Sequence, residues 1–267
     1  MTITKQASRK FGVGGKFFAL AAMGAVSVLA WSSAGPAQAQ LSMGNIINSA
    51  KKVAAATSFS DTEMVNYFSQ MAAEMDRKNP VAGSDNPYGQ RLAALTKGLD
   101  NYDGLNLDIK AYLVKDVNAF AMGDGTVRVF AGMMDEFNDD EVRCVIGHEI
   151  GHVKLEHGKK RMRGALQRDA ALSVAGTASR TARNLTNSQL GQMFGNVMTA
   201  QHSQKAERKA DDYAVTFMKA NNYNAQGCVT AMEKLAKLSA GGPSVELLRT
   251  HPKPSKRAKR MKKQIEG

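Results

Sequence analysis

The stretch RCVIGHEIGHVKLEH, residues 143–157, decides how the rest of the chain is read. It places three histidines and two glutamates within ten positions. On an α-helix, residues four apart lie about 40° apart around the axis and one turn along it. His148 and His152 can therefore converge on one ion, the HExxH arrangement. Glu149, about 100° from His148, is within reach of a water at that ion and can take its proton without being a ligand. His157 lies five beyond His152, about 140° round the helix, and is expected to point elsewhere. Glu156 is displaced similarly and reads as a surface charge. Cys144 shares the face of His148 but is about 12 Å along the axis from His152, too far for both to bind one ion beside His148. It reads as a buried thiol or a disulfide partner.

A third ligand must come from another element. In HSQKAERKADDYAV, residues 202–215, Glu207 and Asp211 are four apart on one helical face. Glu207 is the candidate ligand, and Asp211 the candidate acceptor for the free N–H of a ligand histidine. His202, five before Glu207, faces about 140° away and reads as surface. The long metzincin signature is excluded, because the places it needs hold Leu155 and Gly158. Two histidines and a carboxylate suit one Zn²⁺ per chain.

Around this centre the pattern is mixed. SDTE at 60–63 is a capping box, Ser60 with Glu63, opening a helix that Asn79-Pro80 stops. Pro87 begins another. The alternation of Leu105, Leu107 and Ile109 predicts a strand continuing through YLVKD at 112–116. NAFAMGDGTVRVFAGMMD, residues 118–135, reads as two strands turning tightly at Gly123-Asp124-Gly125. The remainder is helical, with Asn138 and Glu141 capping the HExxH helix and further helices near 201–219, 225–239 and 255–266. Residues 164–200 read as loosely packed helix with a mobile loop.

With 267 residues the chain can bury one substantial domain. Residues 1–39 read as a cleavable secretory signal: Lys5, Arg9, Lys10 and Lys16, the apolar run Phe17–Trp31, then Ala37-Gln38-Ala39. The apolar run is shorter than the roughly 20 residues that span a bilayer, so an uncleaved inner-membrane anchor is the lesser alternative. Residues 40–57 read as a flexible lead-in and 58–267 as the folded domain. The net charge is +12, or +8 without the acid-free signal. Eight lysines and arginines and no acid lie between Arg249 and Lys263. That tail reads as a solvated helix, with attachment to an anionic membrane surface as the sharper alternative; nucleic acid is not an expected partner of an exported chain. Whether Cys144 and Cys228 meet is left open.

Four blocks carry a resemblance: DVNAFAMGDGTVRVFAGMMD, DDEVRCVIGHEIGHV, AERKADDYA and HPKPSKR, in that order across about residues 58–265. They resemble the zinc metallopeptidase family of HtpX and the CAAX prenyl protease, in particular its LoiP-like bacterial envelope members. The resemblance implies an α+β, mainly α, zincin-like fold with a small sheet whose edge strand flanks the active-site helix. It implies His148, His152 and Glu207 as zinc ligands, Glu149 as base, and His251 near the open zinc position with Arg257 in support. It likens Asn118, Ala119 and Phe120 to the start of the substrate-binding edge strand. Three features depart from the family pattern. Gln204 replaces an arginine, the lipoprotein cysteine is absent, and Cys144 and Cys228 match no cysteines of the subgroup. The function expected is a periplasmic zinc metalloendopeptidase acting on unfolded or misassembled envelope proteins. The alternative is a non-catalytic, zinc-stabilised assembly factor that binds extended chains.

Overall fold

In a computed structural model of the chain, the residues described are 60–175, 187–239 and 245–267. The expected signal, the whole of the lead-in and the centre of the 164–200 segment lie outside them. Helix α1, Asp61–Lys78, opens on the expected capping box: Ser60 Oγ accepts from the Glu63 N–H, and the Ser60 N–H donates to Glu63 Oε2. It ends at Asn79. Helix α2, Pro87–Leu95, has proline in its first turn and Asn86 as its cap.

Strands β1 (Asp108–Tyr112), β2 (Ala119–Ala121) and β3 (Thr126–Phe130) form one sheet in the order β1-β3-β2, with β1 parallel and β2 antiparallel to β3. The predicted first strand is too long at both ends. Residues 105–107 stay outside the sheet, with the Leu107 N–H donating to the Asp100 carbonyl, and after Tyr112 the chain leaves it, with the Val114 carbonyl accepting from the N–H of Gly132. The tight turn is where expected. Gly125 has φ +99°, and a Cβ there would overlap the Asn106 carbonyl, so no other residue fits. The segment after Phe130, expected as extended, is helix α3, Ala131–Glu136.

Helix α4, Asp139–Lys154, carries HExxH and is capped by Asn138 and Glu141 as expected. It is followed by α5 (His157–Ala175), α6 (Asn187–Thr199), α7 (Gln204–Ala220), α8 (Gln226–Leu238), α9 (Leu247–Thr250) and α10 (Pro254–Glu266). The architecture is α+β and mainly α. Both sides of α4 are covered: buried residues run from Glu141 to Val153 with Arg143 as the one interruption. The main core joins the sheet to α4, α7, α8 and α10, and a second core joins α1 to α5 and α6. The basic helix α10 is not simply a solvated tail, because Arg257, Ala258 and Met261 are buried. Among the described residues no helix is long and apolar enough to cross a membrane.

Cys144 and Cys228 are joined by a disulfide with Cα atoms 5.2 Å apart. It ties α4 to α8 one turn before His148. Sequence spacing could not settle this, since the two are 84 residues apart.

A buried charge pair fastens α1 to the sheet. Arg128, 1% exposed on β3, donates through Nε and Nη2 to the two oxygens of Asp76, both at 2.9 Å, and Tyr112 donates to Asp76 Oδ1 at 2.6 Å. Burial alone would raise the Asp76 pKa, but the Arg128 and Tyr112 hydrogen bonds and the Arg128 charge outweigh it and hold it near about 2, against 3.8 for the free group. The ionised form therefore favours folding. About 2 kcal/mol of stability is present above pH 4 and is lost as pH falls through 2. Denaturant unfolding at pH 6, 4 and 2.5 should show this decline, and a chain whose stability is flat across that range would contradict it.

Candidate active site

The site is assembled from three helices and one loop. His148 and His152 project from α4, with their Nε2 atoms 3.0 Å apart. Glu207, in the first turn of α7, places its carboxylate oxygens 3.8 Å from His148 Nε2 and 3.5 Å from His152 Nε2. His251 ends α9. Donor atoms of these four buried residues all lie within 4.8 Å of one another.

Each donor is held from behind. Asp211 Oδ1 lies 3.1 Å from His148 Nδ1, so the Nδ1–H is directed to the carboxylate and the Nε2 lone pair faces the cluster. Arg257 in turn binds Asp211 at 2.6 Å and reaches Glu207 at 2.8 Å, the latter an ion pair without hydrogen-bond alignment. Burial would raise the Asp211 pKa, but the Arg257 charge prevails and brings it to about 2. Burial raises Glu207 and lowers His152 and His251 well below the usual range, so the imidazoles are neutral donors.

His157 and His202 correct the sequence reading. Helix α4 stops at Lys154, and Glu156 takes φ +56°, so His157 opens α5 instead of continuing the same helical wheel. The chain doubles back, and His157 Nδ1 comes to 3.0 Å from His152 Nδ1. With His152 Nε2 turned to the cluster, its Nδ1–H would have His157 Nδ1 as acceptor, and burial keeps His157 neutral with a pKa of about 4. His202 precedes the cap Ser203 and is not on α7 at all; its backbone N–H donates to Thr250, and its ring centroid lies 3.9 Å from that of His152. All five histidines of the chain thus belong to one cluster.

Glu149 is 2% exposed, and burial pushes its pKa up to about 7. Its Oε1 has no hydrogen-bond partner, nor have the two Glu207 oxygens or His251 Nε2. Glu207 Oε2 keeps its ion pair with Arg257, but Glu149 Oε1 and Glu207 Oε1 lie 3.7 and 3.9 Å from His251 Nε2 with no hydrogen bond among them, a costly arrangement unless an ion or substrate completes it. The residues present fit a divalent ion of the borderline type that imidazole and carboxylate suit. Bound there, such an ion polarises a carbonyl and makes water acidic. Glu149, outside the four-donor group, is free to move a proton. His251 Nε2 lies 3.7 Å from Glu149 Oε1 and 3.9 Å from Glu207 Oε1, between the base candidate and the donor group.

The spacing between the ligand helices is set by glycines. A Cβ at Gly147 would stand 2.5 Å from Phe217 Cδ1 on α7, and one at Gly151 3.0 Å from Tyr213 Cβ. Phe217 is itself wedged against Tyr102 and Tyr223. Gly147→Ala should therefore push α4 off α7, costing about 1–3 kcal/mol and weakening metal binding by moving His148 and His152 from Glu207. Thermal unfolding and metal titration check both effects.

Strand β2 is the sheet edge nearest this cluster. Asn118 and Met122 make their backbone bonds to β3, so the alternation of an antiparallel pair turns the polar backbone of Ala119 and Ala121 outward. A cavity of about 150 Å³ runs along Asn118, Ala119, Phe120 and Ala121 to Glu149 and His251.

The sequence model of peptidase family M48 matches residues 92–265. The chain belongs to peptidase family M48. It is 37% identical to Metalloprotease LoiP of Escherichia coli strain K12 over 218 residues, covering 81% of this chain and 86% of that protein. It is 37% identical to Metalloprotease YcaL of the same strain over 211 residues, 79% and 83% of the two chains. A beta-barrel assembly-enhancing protease of Yersinia pestis is 28% identical over 183 residues, 64% of this chain and 36% of that one. As an M48 member the protein is a metal-dependent endopeptidase, and the cluster of His148, His152, Glu207 and His251 is where its fold gathers metal donors.

Proposed function

We propose that the metal is zinc, one per chain, held by His148, His152 and Glu207, and that the M48 enzyme hydrolyses peptide bonds in unfolded or misassembled proteins of the bacterial envelope. The observation that carries this reading is the open edge of β2 leading to Glu149. An extended chain can add to that edge through backbone bonds to Ala119 and Ala121, which any sequence offers, whereas a folded substrate cannot. Asn118 and Phe120 flank those contacts. Glu149 takes a proton from water as it attacks and returns it to the leaving amine. A fourth protein ligand would close the position a substrate needs, so His251 serves the substrate instead, its Nε2 steadying the oxyanion. Asp211 and Arg257 fix the orientation of His148 and Glu207.

Residues 1–39 act as a cleaved export signal, which places the mature domain, residues 58–267 after a short lead-in, in the periplasm. The assembly-related name of the Yersinia pestis relative agrees with an envelope setting. The outer face of α10, with Lys253, Lys256, Lys259, Lys262 and Lys263 exposed, is suited to an anionic membrane surface.

The test is degradation of unfolded casein by the purified mature chain before and after chelation. Activity should vanish with the metal and return with one equivalent of Zn²⁺. Restoration only by another divalent ion would reject zinc, and intact casein under every metal would reject unfolded polypeptide as the substrate class.

A further inference from the structure

A second and larger cavity, about 1030 Å³, lies between α5, α6 and the start of α7. Its size is at the upper end for ligand sites and leaves room for several residues of extended chain. It is lined by six lysine and arginine side chains and by two acidic ones, Glu156 and Asp169. Lys154 is paired with Asp103 and Lys160 with Glu156. The other four, Arg161, Arg168, Lys205 and Lys209, have no carboxylate in ion-pair reach among the described residues. The residues outside the described ones contain no aspartate or glutamate in their sequence, so no acid there offsets the excess.

This cavity meets the catalytic groove. Arg161 and His202 line both spaces, the edge-strand cavity on one side and the basic cavity on the other. Arg161 is half-buried at this junction. Its Nη1 donates to the Ala200 carbonyl at 2.7 Å, which fixes the side chain, while its Nε is buried with no partner. The Glu149 and Glu207 carboxylates act on this guanidinium only from beyond ion-pair distance, so a side chain held in place with an unused donor beside a basic cavity has the geometry to take an anion. The edge-strand cavity itself runs from Ala119 and Ala121 past Glu149 to Arg161 and His202 at this junction.

We propose that the basic cavity is a specificity site for a carboxylate on the substrate polypeptide, anchored by Arg161, on the flank of the scissile bond that lies away from β2. The carboxylate belongs to an aspartate or glutamate side chain or to the chain terminus of the substrate. This rests on the peptidase reading above, and it adds a preference that backbone recognition by β2 does not supply.

The experiment uses the full mature chain loaded with Zn²⁺, carrying Glu149→Gln for binding and wild type for cleavage. Three labelled peptides share one sequence. One carries Glu within four residues of the cleaved bond and an amidated terminus, one carries Gln there with a free terminal carboxylate, and one carries Gln with an amidated terminus. Fluorescence anisotropy should show the Glu peptide, the free-terminus peptide or both binding about tenfold more tightly than the neutral one; which of them does so identifies the carboxylate. The ratio should fall to about one in Arg161→Gln and return in part in Arg161→Lys, with thermal unfolding confirming that each variant is folded. If Arg161→Gln does not fold, Lys205→Gln/Lys209→Gln, both exposed, should reduce the same ratio about threefold. Equal binding of all three peptides, or a preference that survives Arg161→Gln, overturns the proposal. Cleavage by wild type is read separately: charge-selective binding without cleavage of any peptide would count against the peptidase reading and leave the carboxylate site standing.

Discussion

Glu149→Gln should lower kcat/KM for every cleaved peptide by about 10²–10⁴, the usual contribution of a positioned general base, while the chain keeps its metal. Glutamine has the same shape and remains buried, but it has no basic oxygen to accept a proton. The residue stands outside the four-donor group, so its loss leaves the ligands intact. Burial has already brought the Glu149 pKa to about 7, close to the range in which a group takes and returns a proton most efficiently. Steady-state kinetics beside metal quantification separate the outcomes. Unchanged turnover would mean that another group is the base, and loss of the metal would mean that Glu149 is a ligand.

Arg257→Ala should be the most damaging single change to stability within the site, about 3–5 kcal/mol in the metal-free chain. It leaves Asp211, 0% exposed, and Glu207, 4% exposed, as buried carboxylates facing each other without their shared cation. Asp211 would then hold His148 less firmly, and metal affinity should fall about 10–100-fold. Chemical denaturation and metal titration measure the two losses. Combining Arg257→Met with Asp211→Asn should recover part of the stability, because a charge is removed along with its partner. If Arg257→Ala unfolds at the wild-type denaturant concentration, the cation is not what balances these carboxylates.

The parts of this site that could be read in the sequence are those governed by a period. His148, Glu149 and His152 sit on one capped helix, and Glu207 and Asp211 on another, so 3.6 residues per turn places them correctly. The Gly123-Asp124-Gly125 turn is equally local, as Gly125 needs a positive φ. The failures share a cause. A helical wheel extended past a helix end misplaces His157 and His202, because a wheel carries no information there. Both are brought to His152 by chain reversal, at Glu156 in one case and before Ser203 in the other. That the chain has only five histidines, three of them within ten residues, is the one compositional sign that they act together. Arg161 gave no sign at all. It is one basic residue among many, and its unused donor appears only when α5 packs beside α6 and Ala200. The strand bounds and α3 failed for a tertiary reason, since the chain leaves β1 where Gly132 lets α3 rest against the backbone at Lys115.

The Cys144–Cys228 bridge gives the molecule a history as well as a shape. A chain in a reducing compartment carries two thiols at these positions, and α4 is then held against α8 by side-chain packing alone. Once the thiols are oxidised, a loop of 84 residues is closed and the unfolded ensemble loses freedom equivalent to about 4 kcal/mol. On the export proposed above, the same polypeptide would be looser at synthesis than at its destination, and the part left unbraced is the helix that carries His148, Glu149 and His152. A peptidase exported in that way would be least well assembled while still among the proteins of the compartment that made it.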